Sequence, residues 1–408
     1  MRAILSCFAL FSAIAFADDH WPQYRGPDGN GHSTAKDVPT EFAEGKNIRW
    51  KAPIHDKGWS SPVVWGKRVW VTTGKEDGTE LFAIGLDVKS GEVAHDLKLF
   101  APKKPVDIRK YNTYASPTPC LDDGRGYFHF GTYGTACVDL DSGKAIWKRD
   151  DIECDHWRGP ASSPIIHGKH LFLTFDGHDK QFVIALDKAT GKTVWEKKRS
   201  VKYKTDDGDY KKAFSTPHVI DVDGQSQLVS SAAEGTIAYD PESGKELWTI
   251  YHGGMNEAGR PVFAHGLLYL TAGHTRTLLA AKPGAGDLTE SDFAWTLKKD
   301  GPTRPSPIVV GNHLYVSSDE GNAFCLDAKT GKQIWKERLG GPTSASPIFV
   351  DGVLWFACEN GKVDLVAAKP DFQRVATNAL KDGCKASPAA VGDAVYLRTF
   401  THLYCVGK

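Results

Sequence analysis

Four basic residues could form one binding site. Each comes shortly before a proline that recurs along the chain: Arg158, Arg260, Arg304 and Lys385. Trp157 adjoins one of these cations, and Tyr111 lies in another proline-terminated stretch. Guanidinium and ammonium groups beside aromatic rings at a concave surface can bind a carboxylate, a phosphate or a sugar. Two interpretations follow: a ligand site, or a solvated loop face whose arginines bond to carbonyls of the fold.

Motifs for metal and nucleophilic chemistry are incomplete. The stretches DVDG at 221–224 and DDGD at 206–209 contain calcium-loop acids but lack the full spacing and the closing glutamate. The sequence has no Cys-x-x-Cys pair that would indicate zinc. The stretch GPASSP at 159–164 lacks a nucleophile elbow. We therefore predict no metal site and no catalytic residue.

Residues 1–17 are typical of a secretory signal. Arg2 precedes an apolar stretch, and Ala15-Phe16-Ala17 supplies a cleavage site before Asp18. Too few residues precede Cys7 for a lipoprotein signal, so we expect a soluble protein exported to the periplasm or the exterior. Removal of Cys7 leaves seven cysteines, an odd number, so at least one thiol has no partner within the chain. The spacing does not reveal any pairing.

The composition indicates a turn-rich β protein. The chain has 408 residues, with 50 Lys+Arg against 50 Asp+Glu, and this zero net charge argues against a nucleic-acid or membrane-surface binder. It contains 12 Trp and 41 Gly, residues common in strands and in turns respectively. We expect a monomer with no nucleic-acid partner and no transmembrane segment.

One phrase recurs along the chain. ALDKATGKTVW at 185–195 returns as VDLDSGKAIW at 138–147, YDPESGKELW at 239–248 and LDAKTGKQIW at 326–335. In each copy an Asp lies four residues before a Gly and a Trp lies four residues after it. Such a pattern predicts a tight β-hairpin, in which Asp and Ser or Thr bond to the turn and Gly takes the left-handed conformation.

A second element precedes these phrases. It is a proline followed by a short apolar run, a Gly turn and a β-branched or aromatic run, as in SSPIIHGKHLFLTF at 162–175. We place eight such units by their prolines: Pro62, Pro117, Pro164, Pro217, Pro261, Pro307, Pro347 and Pro388. Four short strands in roughly 40–50 residues are typical of a β-propeller blade. The sequence therefore predicts an all-β, eight-bladed propeller of four-stranded antiparallel blades.

The last unit lacks an outer strand. An isolated segment, NIRWKAP at 47–53, carries Trp50 in the position of the blade tryptophans, and we predict that it supplies the missing strand and closes the ring. Residues 47–408 would then form one propeller, with 18–46 as an extended segment packed on it. The long connections at 100–114, 150–160, 201–214 and 251–261 all lead into an innermost strand. They should share one face of the ring, around the channel mouth.

The repeat resembles that of the pyrroloquinoline quinone (PQQ)-type eight-bladed propellers, through Ala185, Asp187, Thr190, Gly191 and Trp195. Exported bacterial proteins and BamB-like scaffolds for outer-membrane β-barrel assembly belong to that group. The resemblance implies that tryptophans dock between adjacent blades: Trp50, Trp147, Trp195, Trp248, Trp295 and Trp335. It also implies that turn glycines fix the hairpins: Gly143, Gly191, Gly244 and Gly331.

The resemblance leaves three functions open. The first, which we favour, is a non-catalytic scaffold or ligand-binding module with a protein partner and no cofactor. The second is a carbohydrate- or anion-binding protein. The third is a PQQ- and calcium-dependent alcohol or sugar dehydrogenase, in which the quinone lies over a tryptophan, against a disulfide of adjacent cysteines. The present sequence has no adjacent cysteine pair, which speaks against the enzyme.

Overall fold

A computed structural model describes residues 20–408 of the protein. The signal segment predicted at 1–17 and Cys7 lie outside the described residues. Eight antiparallel sheets follow one another along the chain, each with four core strands, which confirms the predicted eight-bladed propeller. Three single turns of 3-10 helix interrupt the loops: Gly208–Lys211, Gly273–Thr275 and Glu290–Asp292.

Each blade is given from its innermost to its outermost strand. Blades 1 and 2 contain Val63–Trp65, Arg68–Gly74, Leu81–Asp87 and Val93–Phe100, then Cys120–Asp122, Arg125–His129, Thr135–Asp139 and Ala145–Arg149. Blades 3 and 4 contain Ile165–His167, His170–Asp176, Gln181–Asp187 and Thr193–Lys198, then His218–Val222, Gln225–Ser231, Gly235–Tyr239 and Glu246–Tyr251. Blades 5 and 6 contain Val262–Ala264, Leu267–Thr271, Leu278–Ala281 and Phe293–Leu297, then Ile308–Val310, His313–Ser317, Asn322–Asp327 and Gln333–Arg338. Blades 7 and 8 contain Ile348–Val350, Val353–Ala357, Lys362–Ala367 and Arg374–Ala379, then Ala389–Val391, Ala394–Arg398, His402–Val406 and Ile48–Pro53.

The ring closes through its two ends. Ile48–Pro53 pairs antiparallel with His402–Val406, with Trp50 opposite Cys405. The strand Ile48–Pro53 is thus the outermost strand of blade 8, as the sequence predicts. Because the first and last parts of the propeller share one sheet, blade 8 has its full four strands and the ring is closed.

A tryptophan of one blade packs on the turn glycine of the next. Gly191 has a φ of +73°, and a Cβ there would lie 2.8 Å from the indole of Trp147. The Trp147 Nε1–H donates to the carbonyl of Lys188 at 3.0 Å. Asp187 Oδ1 holds the turn by accepting bonds from the N–H and hydroxyl of Thr190. The same packing joins three other pairs: Trp50 with Gly91, Trp195 with Gly244, and Trp295 with Gly331.

Three interfaces depart from this arrangement. In blade 1, His95 takes the tryptophan position and lies against Gly143. Trp335 donates to the carbonyl of Lys369, although blade 7 has no turn glycine. Trp248 donates instead to Gln227 of its own blade at 2.8 Å. Blade 5 lacks the Thr-Gly turn, and its segment Gly286–Leu288 adds a fifth, parallel strand to the outer edge of blade 4.

The proline predicted to mark blade 2, Pro117, is wrong by two residues. The innermost strand of blade 2 begins at Cys120, so Pro119 and not Pro117 precedes it. In the other blades the residue before the proline is Ser or Thr, except for Arg260 in blade 5. Thr118 therefore occupies the serine position of blade 2. The stretch Ser-Pro-Thr-Pro offers two equivalent matches to the repeat, and local sequence could not choose between them.

The residues before these prolines form a hydrogen-bonded ring around the channel. The N–H of Ser61 donates to Thr118 Oγ1 at 2.9 Å, and the N–H of Thr118 donates to Ser163 Oγ at 3.0 Å. The pattern continues from Ser163 to Thr216, from Arg260 to Ser306, from Ser306 to Ser346, from Ser346 to Ser387 and from Ser387 to Ser61. Arg260 has no hydroxyl to accept a bond from blade 4, so the ring is interrupted there.

All seven cysteines among residues 20–408 are buried and form no disulfide. They serve as small apolar side chains of the blade interfaces. In the same part of the chain, no helix has the length and apolarity required to cross a membrane.

Candidate functional site

The segment before the propeller crosses one end of the channel. His20–Trp21 pairs antiparallel with the innermost strand of blade 1, with Trp21 opposite Val64. His32–Ser33 pairs in parallel with the innermost strand of blade 7, with His32 opposite Phe349. Residues 22–31 therefore run from one inner strand to the other and cover the face that carries the turns between the first and second strands.

Two buried arginines hold this segment. Arg25 donates from Nη2 to the carbonyls of Asn30 and Pro307, both at 2.8 Å. Arg260 of blade 5 donates from Nη1 to the carbonyl of Tyr24 at 2.6 Å. The guanidinium of Arg260 lies directly on Gly29, where a Cβ would come within 2.2 Å of Nη1. Only glycine leaves room for this contact.

Tyr24 projects from the segment into the channel. Its hydroxyl lies 2.8 Å from Ser346 Oγ and 3.4 Å from Ser306 Oγ, the two ring hydroxyls that follow Arg260. Tyr24 thereby forms the floor of a cavity of about 560 Å³ that opens at the opposite face. We call this cavity the cup. A floor makes it a blind pocket, the concave shape that binds small molecules.

All four long connections reach the cup. They contribute Arg109, Tyr111, Asn112, Arg158, Phe214, Asn256 and Ala258 to its lining. These loops share one face because each joins an outermost strand to the next innermost strand. Other blades add Trp59, His274, Thr303, Arg304, Ser344 and Lys385 to the wall.

Trp157 supports two of the mouth cations. The Cζ atoms of Arg109 and Arg158 lie 4.5 Å and 4.8 Å from the centroid of its ring. Arg158 also makes a two-pronged ion pair with Asp209, with both N–O distances 2.5 Å. Both partners are about three-quarters buried, so the pair fixes the direction of the guanidinium. Arg109 has no such carboxylate among the described residues.

Arg304 and Lys385 occupy the other side of the mouth. Arg304 donates to Asp319 at 2.6 Å and to Glu359 at 3.0 Å, so two carboxylates behind the wall balance its charge. Lys385 lies 5.5 Å from the centroid of the Trp59 ring and donates to the carbonyl of Tyr111 at 3.5 Å. Burial lowers the pKa of the Lys385 ammonium, and the Arg304 cation acts in the same direction while Glu359 opposes it.

Only some of the residues predicted from the sequence line the cup. Arg158, Arg304, Lys385 and Tyr111 line the cup, whereas Trp157 lies behind two of them. Arg260 is not at the mouth: it is 2% exposed and binds the crossing segment. The prediction missed Arg109, Trp59 and Tyr24. Arg109 stands in a long loop already singled out, but nothing local marks Tyr24 as a floor.

Quinone–calcium chemistry does not fit this lining. Of the described residues that line the cup, none is an Asp or a Glu, and the amide oxygens come from Asn112 and Asn256 alone. Calcium takes six to eight oxygens, usually including carboxylates. Within residues 20–408, no group of three His, Cys, Asp or Glu side chains is arranged to hold a metal ion. The cations and aromatic rings suit an acidic planar molecule, but the calcium donors are lacking.

Comparison with known proteins gives matches along most of the chain. The sequence model of the family described as outer membrane protein assembly factor BamB matches residues 179–305 and 233–399, together more than half of the 408 residues. The quinoprotein alcohol dehydrogenase PedH of Pseudomonas putida is 32% identical over 143 residues, which are 32% of this chain and 22% of that protein. The matched segments span about a quarter of the length of the curated relatives.

Solved structures extend the likeness to the whole propeller. The quinohemoprotein alcohol dehydrogenase of Comamonas testosteroni has a TM-score of 0.70 at 11% identity, covering 97% of this chain and 82% of that one. BamB of Moraxella catarrhalis has a TM-score of 0.60 at 12% identity, covering 88% of this chain and 99% of that one. At such identities the structures share the fold alone. The chain therefore belongs to the BamB-like family of PQQ-type repeat propellers.

Proposed function

We propose that this protein is a binding protein that captures a small acidic organic molecule in the cup. The observation that carries the proposal is the charge of the lining. Four cations face the cavity: Arg109, Arg158, Arg304 and Lys385. Among the described lining residues there is no carboxylate to oppose them. The acids that pair with Arg158 and Arg304 lie behind the wall, so the charge at the surface of the cavity is positive.

Of these four cations, Lys385 and Arg109 are the two that form no ion pair within residues 20–408 and can therefore bind an acidic ligand. Their side chains contact aromatic rings and a backbone carbonyl. The pKa of Lys385 is lowered chiefly because burial removes water from its ammonium group, and the nearby Glu359 carboxylate offsets only part of that cost. A bound carboxylate would remove that cost, because an opposite charge nearby favours the ammonium form.

The aromatic residues of the cup favour a ligand with a planar or apolar part. Trp59 and Phe214 lie in the wall. Tyr111 stands at the rim and is 82% exposed. Exposed aromatic rings near cations are common in sites that bind one flat face and one charged group.

A protein partner is the second candidate. The family match to an outer-membrane assembly factor supports it, as does the fifth strand that Gly286–Leu288 adds to blade 4. That addition demonstrates that an outer blade edge accepts an extended segment. Export of the protein to the periplasm or the exterior is part of the same proposal. It rests on the signal-like residues 1–17 and on the family.

A thermal-shift comparison tests the ligand proposal. The probes are trimesate (a benzene ring with three carboxylates), the same ring bearing three hydroxymethyl groups, and PQQ with and without Ca²⁺. We expect trimesate to raise the Tm by roughly 2–5 °C at about a hundredfold excess over its Kd, and the neutral ring to leave it unchanged. PQQ should bind without dependence on Ca²⁺.

Two variants locate the effect. The double variant Arg109→Ala/Lys385→Ala should lose the response to trimesate. Lys67→Ala, an exposed lysine in a turn of blade 1, should keep it. Equal responses in the two variants would reject the cup as the binding site. A response to PQQ that requires Ca²⁺, together with dye-linked alcohol oxidation, would replace this proposal with the dehydrogenase.

A further inference from the structure

Five hydroxyls of the pre-proline ring face the cup with their protons unused. Ser61, Thr118, Ser163, Thr216 and Ser387 each accept a hydrogen bond from the backbone of a neighbouring blade. Among residues 20–408, none of these hydroxyls donates to an acceptor. All five line the cup, and all are at least 96% buried. A hydroxyl that accepts one bond still has its own proton to donate.

The five donors surround one end of the cavity. The two remaining ring hydroxyls, Ser306 and Ser346, are covered by Tyr24 Oη. The other five hydroxyls therefore form an arc of the ring from Ser387 to Thr216, and Tyr24 and Arg260 occupy the remainder. Because each hydroxyl is held by a backbone bond to the next blade, the arc is preorganised by the propeller itself.

Three buried arginines contact residues of the ring or their neighbours, and among residues 20–408 none of the three forms an ion pair. Within the described part of the chain, every hydrogen bond that the side chains of Arg25, Arg260 and Arg398 donate goes to a neutral oxygen. Arg25 binds the carbonyls of Ser306 and Pro307, Arg260 binds the carbonyl of Tyr24, and Arg398 binds Ser60, the neighbour of Ser61. The Nε groups of Arg25 and Arg260 are buried and have no partner among the described residues.

Burying three guanidinium charges costs folding free energy unless an opposite charge compensates them. Burial lowers the pKa of Arg25 to about 10 and those of Arg260 and Arg398 to about 9. All three guanidinium groups nevertheless stay charged at neutral pH. An isolated buried charge is among the most expensive features of a folded protein, and proteins normally pair it.

We infer that the floor end of the cup, beside Tyr24, is an anion site, in which at least two neighbouring hydroxyls of the arc donate to a tetrahedral oxyanion and the three arginines supply the positive potential. The ligand class is a phosphate or a sulfate, either free or as the head of an organic acid. If the site binds the charged head of an organic acid, the inference rests on the proposed function and specifies the charged group of the ligand. If the site binds the free ion, the inference does not depend on the cations at the mouth of the cup.

Selenate diffusion into crystals of the whole protein tests the site, because the anomalous signal of selenium locates the ion. We expect a peak within hydrogen-bond distance of at least two of the five hydroxyls. No peak at saturating selenate would overturn the inference. A peak only among Arg109, Arg304 and Lys385 would also overturn it while leaving the proposed function in place.

A pair of variants gives a second readout that separates binding from folding. Thr216→Ser keeps the hydroxyl, whereas Thr216→Val removes it with little change of shape. We expect Thr216→Val to bind selenate about tenfold more weakly or worse by calorimetry, and Thr216→Ser to bind like the wild type. Equal affinities in two folded variants would overturn the inference.

Two further experiments determine whether the site binds a free anion or a head group, and separate this inference from the proposed binding of organic acids. Binding of phenyl phosphate at the floor, tighter than that of inorganic phosphate, supports the site and assigns it to a head group. Tighter binding of inorganic phosphate supports the site and assigns it to the free ion. The Arg109→Ala/Lys385→Ala variant should still bind selenate at the floor even if trimesate binding proves absent in the wild type.

Discussion

Tyr24 and Ser346 share a hydrogen bond of 2.8 Å between their hydroxyl oxygens across a sequence separation of 322 residues. The contact joins the segment before the propeller to the seventh blade. It also sets the depth of the cup, because the tyrosine closes a channel that would otherwise run through the ring. The shape of the candidate site thus depends on a segment that belongs to no blade.

Gly29→Ala should loosen this segment. Residue 29 has a φ of +67°, and a Cβ there would meet the Arg260 guanidinium at 2.2 Å. Gly45 has a comparable φ of +83° with nothing within 4 Å, so Gly45→Ala is a matched control for backbone strain. We expect both to lose about 1–2 kcal/mol through strain, and Gly29→Ala to lose about 1–3 kcal/mol more through overpacking, by denaturant unfolding. Equal losses would mean that Arg260 does not clamp the segment.

Trp195→Ala should damage the interface between blades 3 and 4. The indole packs on Gly244, and its Nε1–H donates to the carbonyl of Pro241 at 3.0 Å. We expect a loss of about 3–5 kcal/mol in the free energy of unfolding, because a buried aromatic side chain is removed. Trp195→Phe keeps part of the packing and loses the hydrogen bond, so it should lie between Ala and the wild type. A loss below about 1 kcal/mol for Trp195→Ala would contradict the docking role.

Asp176→Asn should be far more costly than Asp151→Asn. Asp176 accepts two bonds from Arg199, and both side chains are at most 2% exposed. Although burial alone would lower the pKa of Arg199, Asp176 holds it above its usual value. Asp151 binds Arg149 in the same two-pronged way but is 65% exposed. Chemical denaturation should give about 3–5 kcal/mol for Asp176→Asn and less than about 1 kcal/mol for Asp151→Asn. Similar values for both would indicate that burial does not set the strength of the pair.

His129 should make the protein less stable in acid. Burial lowers the pKa of its imidazole to about 3, whereas an unfolded histidine titrates near 6.5. Between these values the unfolded chain binds a proton that the folded chain does not, so stability falls as the pH falls. At pH 5 the loss from this group is about 2 kcal/mol. His129→Gln should therefore flatten the plot of unfolding free energy against pH below 6.5. An unchanged slope would show that the imidazole is already charged in the folded protein.

The architecture could be predicted because each blade hairpin needs the same residue types at the same spacing, and these recur in the sequence. The hairpin at Asp187–Gly191 needs its residue types within one turn, and the orphan Trp50 matches the same pattern at a distance. The site was harder to predict. Arg260 occupies a serine position of the repeat, and nothing nearby indicates that it binds a carbonyl 236 residues away. The hydroxyl ring was missed for a similar reason, since each of its bonds joins two different blades.

Isothermal titration calorimetry of trimesate tests the central claim most directly. The account predicts one binding site per chain in the wild type and an affinity at least about tenfold weaker in Arg109→Ala/Lys385→Ala, because a hydrogen bond to a charged group is worth about 1.5–3 kcal/mol. It also predicts no measurable binding of the neutral ring that bears three hydroxymethyl groups. Equal binding of the acidic and neutral rings, or an unchanged affinity in the double variant, would contradict the claim that the cup binds acids.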